Sequence, residues 1–109
     1  MDFCARDVGN YMLLSLQNFG VSAKQPPPSW EGIDNFIILL PFGLKITLFS
    51  YFSFNIKDIL EIEMHNSKKE SMFIIEIKGE ESEKMQMIKD CISQVEKILE
   101  KEEKLEIYK

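Results

Sequence analysis

From Leu44 to Lys78 the chain switches between apolar and polar residues in three successive runs. Leu44, Ile46 and Leu48 alternate with Lys45, Thr47 and Phe49. Leu60, Ile62 and Met64 alternate with Ile59, Glu61 and Glu63, and Phe73, Ile75 and Ile77 with Met72, Ile74, Glu76 and Lys78. A period of two places successive side chains on opposite faces of a strand. The breaks between the runs, at Asn55 and at the polar turn 65–70, are too short for a crossover helix, so neighbouring strands must run antiparallel. Ahead of them, "NFIILL" at 35–40 has the length of a strand. Pro41 then fits the second position of a type I turn, and Gly43 the left-handed residue that closes it. Residues 35–78 therefore read as a four-stranded antiparallel meander with one apolar face, and that face has to be covered.

Two helices are the available cover. In residues 1–19, the stretch from Phe3 sets Cys4, Val8, Tyr11, Met12, Ser15, Leu16 and Phe19 on one side at spacings of three and four. Asp2 suits the cap and Gly20 the stop. Gly9 weakens the middle by about 1 kcal/mol relative to alanine, unless another element packs where its side chain would be. Residues 80–104 carry Met85, Ile88, Ile92, Val95 and Leu99 in one stripe, widened by Cys91 and Ile98. Glu80, Glu81 and Glu83 stand at the N-terminal end, where the helix dipole favours them. The tail "LEIYK" either frays or pairs as a short strand. Between the first helix and the sheet, residues 20–34 form a Pro-rich connector. "PPPSW" lacks a full PxxP or PPxY core and reads as a stiff linker, with Trp30 as an anchor behind it. The expected product is one α+β domain spanning 1–109: an N-terminal helix, a four-stranded antiparallel meander sheet and a long C-terminal amphipathic helix, in two layers.

Residues 36–54 contain 13 apolar residues in 19 positions, close to the length of a membrane-crossing helix. The Pro41–Gly43 turn, Lys45 in the middle and the alternation after Gly43 oppose that reading, so no membrane span is expected. The net charge is −5, which disfavours nucleic acid, because phosphate neutralisation needs an excess of Lys and Arg. Charge is also unevenly spread. Residues 1–54 carry 3 basic and 4 acidic side chains, against 10 and 14 in residues 55–109. The first half is either core or covered by another molecule. Cys4 and Cys91 make no disulfide framework, and the N-terminus has no basic segment of a secretory signal, so an intracellular location is expected.

The chain offers little for catalysis. Its one histidine, His65, has no Cys or His near it in sequence, so no metal site is expected. There is no Cys-x-x-Cys, and the five glycines are dispersed rather than gathered into a phosphate loop. Glu61 and Glu63 share a strand face but read as solvated surface. The expectation is a protein that is not an enzyme and needs no cofactor.

Binding features are stronger. Phe49 and Tyr51 fall on the face opposite Leu44, Ile46 and Leu48, unless a bulge after Ser50 flips the register, and Phe52 and Phe54 then continue the inward face. Either one helix covers each face of the sheet, or a partner or second copy covers Phe49 and Tyr51. Phe49, Tyr51 and Trp30 are thus the candidate partner-binding residues of a protein-interaction domain, a subunit of a hetero- or homo-oligomer. Two other readings are an acidic inhibitor or decoy for a basic partner, and a carrier of a hydrophobic ligand in a pocket lined by Phe52, Phe54, Met64 and Phe73.

The segment Leu44–Leu99 resembles the second half of PH-like domains: a strand, an "I-x-x-I-x-x-I" strand at Ile56, Ile59 and Ile62, an "F-x-I-x-I" strand at Phe73, Ile75 and Ile77, and a long amphipathic helix. In the first half a helix and a proline linker stand in place of three strands. The order helix, four strands, helix is also similar to small RWD-type domains, without the proline motif those carry after the sheet. Both resemblances imply protein-binding modules.

Overall fold

The computed structural model describes residues 3–27, 35–53 and 56–107. A helix, α1 (Ala5–Asn18), leads to four strands, β1 (Asn35–Leu39), β2 (Lys45–Ser53), β3 (Ile56–His65) and β4 (Ser71–Ile77), and then to the long helix α2 (Glu81–Ile107). The sheet order is β1-β2-β3-β4 with every pair antiparallel, the α+β meander that the alternation implies. The tail beyond residue 104 neither frays nor forms a strand up to Ile107; it continues the helix.

The register carries the two-faced pattern across the whole sheet. Phe36 opposes Leu48, Leu48 opposes Ile62, and Ile62 opposes Ile75. Phe36, Leu48 and Ile62, with Leu44, Ile46, Leu60, Met64 and Ile77, form one core cluster with Val8, Met12 and Leu16 of α1 and Ile88, Cys91, Val95 and Leu99 of α2, and Ile75 packs half-buried against it. Both helices therefore lie on the same face, α1 over β1 and β2 and α2 over β4, and they touch each other. This overturns the alternative in which each helix covers a different face. Two local contacts fix α1 there. Gly9 sits directly over the Phe36 ring, so the missing side chain is required by packing. Cys4 caps the helix with no side-chain hydrogen bond of its own, and the Ala5 N–H instead donates to Ser50 Oγ on the inner side of β2 at 2.9 Å. Asp2, the expected cap, lies outside the described residues.

The end of α1 explains one departure from the expected stripe. Gly20 takes φ +88; its N–H donates to the Gln17 carbonyl at 2.9 Å and the Val21 N–H to the Leu16 carbonyl at 3.0 Å. This is a Schellman stop, and it turns Val21 back toward the core. Phe19, expected on the buried side, is left 73% exposed. The connector is more than a spacer at its start. Lys24 forms an antiparallel bridge with Leu39 on the outer edge of β1, with N–H to carbonyl distances of 3.1 and 2.7 Å. The "PPPSW" segment from Pro28 on, including Trp30, lies outside the described residues.

The β1–β2 turn also differs from a type I turn. Gly43 is left-handed as expected (φ 72), but Phe42 is too (φ 64, ψ 24). The Leu44 N–H donates to the Pro41 carbonyl at 3.3 Å, so Phe42 and Gly43 are the two left-handed central residues of a type I′ turn, and Phe42 holds a position that L side chains rarely occupy. At the same end of the sheet, Asn66 Oδ1 accepts the Lys68 and Glu70 N–H groups at 2.9 and 3.0 Å, which closes the β3–β4 turn with Lys69 at φ 65. Among the described residues, no helix is long and apolar enough to cross a membrane.

Candidate functional site

With both helices on one face, the other face of the sheet carries no helix. Its residues are the odd-numbered members of β1, β2 and β3 and the even-numbered members of β4. They form rows across the strands: Asn35, Phe49, Glu61, Glu76; then Ile37, Thr47, Glu63, Ile74; then Leu39, Lys45, His65. Tyr51 and the buried Ile59 form a further row beside the first.

Phe49 and Tyr51 therefore point where the alternation puts them, away from the core. Phe49 is 44% exposed, and its ring lies 5.8 Å from that of Tyr51 at a tilt of 35°. Ile74 and Met72 add further open apolar surface from β4, at 57% and 38% exposure. Glu61 and Glu63 of β3 stand between the β2 aromatics and these β4 side chains, so the face interleaves apolar and acidic residues. Loss of solvent, with the carboxylates of Glu76 and Glu61 adding to it, pushes the Tyr51 hydroxyl above its ordinary pKa. Lys78 lies 3.8 Å from Glu76 at the exposed rim.

The candidate residues do not converge as one site. Trp30 and Phe54 lie outside the described residues. Of the proposed ligand-pocket lining, Met64 is fully buried inside the core and Phe73 packs half-buried against it. The register shift that would turn the strand falls between Tyr51 and Ser53, one step after both outer aromatics.

The titratable groups are kept apart by the sheet. His65 Nε2 lies 3.1 Å from Glu63 Oε1 on the bare face, and its Nδ1 is buried with no hydrogen-bond partner among the described residues. Cys91 sits in the core on the helix side, and burial pushes its thiol up to about 12. Cys4 is at the head of α1, also on the helix side. Neither cysteine faces His65. Among the described residues, no three of His, Cys, Asp and Glu are grouped to hold a metal ion.

Two surfaces escaped the sequence reading because their residues are far apart in the chain. Phe19, Phe42, Glu96, Glu100 and Glu103 border a groove of about 580 Å³ between the end of α1, the β1–β2 turn and α2. Lys24, Lys45, His65 and Lys69 border a cleft of about 600 Å³ at the turn end of the sheet. No sequence window contains either set. Compared with protein-family models, curated proteins and solved structures, the chain matches none of them.

Proposed function

We propose that this chain is a non-catalytic protein-interaction domain that receives a basic partner protein on the bare face of its sheet. One observation carries the reading: Phe49, Met72 and Ile74 stand open, with Tyr51 half-buried against Phe49, on a sheet face that neither helix covers, among Glu61, Glu63 and Glu76. Aromatic and aliphatic anchors among carboxylates suit a partner segment with apolar side chains flanked by Arg or Lys, since an Arg side chain stacks on an aromatic ring and pairs with a carboxylate. A second copy of this chain fits less well. Facing its own copy, this surface would set three carboxylates against three like charges, in a chain of net charge −5. Two free thiols, Cys4 and Cys91, suit a reducing, intracellular setting.

The test is affinity capture from a cell extract with the wild-type chain and with Phe49→Ala and Tyr51→Ala. The expected result is a protein partner held by the wild-type chain and released as salt rises. Each substitution should weaken capture about 30-fold, the scale of a 2 kcal/mol hot spot. Both side chains lie outside the core, so the variants should unfold within about 1 kcal/mol of wild type. Light scattering of the purified chain should give a monomer. A dimer that Phe49→Ala dissociates would assign the face to a second copy and overturn the basic partner. Capture unaffected by either substitution would count against the whole reading.

A further inference from the structure

We infer that the cleft at the turn end of the sheet is a binding site for a small phosphate monoester with an apolar organic group. The site is distinct from the face assigned to a partner protein and does not depend on that assignment.

The argument begins with where the cations go. Residues 1–54 contain three basic side chains, Arg6, Lys24 and Lys45, and two of these three stand at this cleft. Lys24 is brought there by its bridge to Leu39, and Lys45 opens β2 between Leu39 and His65. Lys69 joins them from the β3–β4 turn, where it is held left-handed at φ 65. The two turns meet closely. A side chain at Gly43 would stand 2.8 Å from Ser67 Cβ, so Gly43 lets the β1–β2 turn close on the β3–β4 turn.

The second step is charge. Among the described residues, none of these three lysines has a carboxylate within 4.0 Å, the ion pairs there being Arg6–Asp7, His65–Glu63 and Lys78–Glu76. Of the acids on β3 and its turn, Glu63 lies 3.1 Å from His65 Nε2, and Glu70 accepts from Asn66 Nδ2 at 3.4 Å. Three lysines bordering one cleft, with no carboxylate within 4.0 Å among the described residues, give it a positive potential. A dianion is attracted by that potential. Lysine is well suited to phosphate, as a point charge on a flexible stem. Ser67 and Asn66 add polar groups to the rim.

The third step is shape. A volume of about 600 Å³ is far more than a phosphate group fills and falls in the range of small-molecule sites. The lining also includes Leu39, Leu40 and Leu44, of which Leu40 and Leu44 present only the edges of core side chains. A cationic rim beside leucine surface suits an anion joined to an apolar body.

The experiment is a titration of the isotope-labelled full chain by two-dimensional NMR, with phenyl phosphate and with inorganic phosphate at matched ionic strength. Phenyl phosphate should shift the amides of Lys24, 39–45 and 65–69, and should bind at least about tenfold more tightly than inorganic phosphate. The pair Lys45→Gln and Lys69→Asn should weaken it about tenfold or more, since each charge-assisted bond contributes on that scale. Asparagine tolerates the left-handed backbone at 69. The control pair Lys97→Gln and Lys101→Gln on α2 changes net charge equally and should have under about twofold effect. If the first pair unfolds the chain, Lys24→Gln alone should still weaken binding. Equal affinity for the two phosphates overturns the organic ligand. Shifts scattered over every lysine, or equal losses in the control pair, overturn the site.

Discussion

Gly9→Ala is expected to destabilise the protein, although alanine is the better helix former by about 1 kcal/mol. A methyl group at this position would overlap Cγ and Cδ1 of the Phe36 ring and stand 2.9 Å from Cε1. Phe36 is buried, and Cγ is the atom nearest its own backbone, so the ring cannot escape by swinging its tip. Either β1 or α1 must move. Overpacking of this kind costs about 1–3 kcal/mol, which exceeds the propensity gained. The net loss should be about 1–2 kcal/mol, a fall in Tm of roughly 4–8 °C for each kcal/mol in a chain of this size. Phe36→Leu supplies the diagnostic partner. Alone it should destabilise by lost burial. Combined with Gly9→Ala it should cost less than the sum, because leucine vacates the space the methyl needs. Urea unfolding of the four chains measures the coupling. Additive effects, or a stabilised Gly9→Ala, would mean that α1 does not rest on β1 as described.

That contact also marks where the sequence stops being informative. The strands were legible because burial alternates almost completely along them: Ile46 and Leu48 have no exposure, while Lys45 and Phe49 between and beside them are open. The α2 stripe was legible for the same reason, with Ile88, Val95 and Leu99 all buried. An apolar stripe says that a helix must pack, but not on which side of a sheet. The aromatics at Phe49 and Tyr51 made both faces plausible. The choice is made by contacts between residues 27 to 45 positions apart, Gly9 with Phe36 and Ala5 with Ser50. No local period records these. Phe19 was misplaced by a different limit. Helical spacing carries it onto the buried stripe, but Gly20 ends the helix and Val21 takes that place in the core. Phe42 hides its strain in the same way, since nothing in "PFG" distinguishes one left-handed residue from two.

The candidate surfaces divide along this line. Phe49 and Tyr51 are neighbours on one strand, so their shared face could be read from the sequence. The cleft lysines come from positions 24, 45 and 69, and only the meander's return to one end brings them together. Lys45 and His65 lie in the last row of the bare face and also border the cleft. The acidic, apolar part of the sheet thus passes into a cationic end within a few residues. A partner docked over Phe49 and an anion held at Lys45 would meet opposite potentials on adjoining ground, which lets one chain keep the two ligands apart by charge.

Stability should fall steeply above pH 9, and Cys91 should be a measurable cause. Its side chain is fully enclosed, and burial pushes the thiol up to about 12 from an ordinary 9.0. The unfolded chain releases this proton near the ordinary value, while the folded chain keeps it until about pH 12. Between those values the folded state binds more protons, so stability decreases as pH rises. The contribution is complete below pH 9 and is lost at up to about 1.4 kcal/mol per pH unit through the window, or roughly 4 kcal/mol in all. Tyrosines and lysines titrate over the same range, so the total curve does not isolate the thiol. The difference between wild type and Cys91→Ala does. Near neutral pH the variant should be less stable by about 1 kcal/mol, for the lost sulfur packing. Because alanine has no proton to lose, the two curves should converge above pH 9 and cross near pH 10. Denaturant unfolding at half-unit pH steps reads this directly. Parallel curves would mean that the folded chain accommodates the thiolate. Solvent would then reach position 91, and the reading of this cysteine as core rather than as a nucleophile would fail with it.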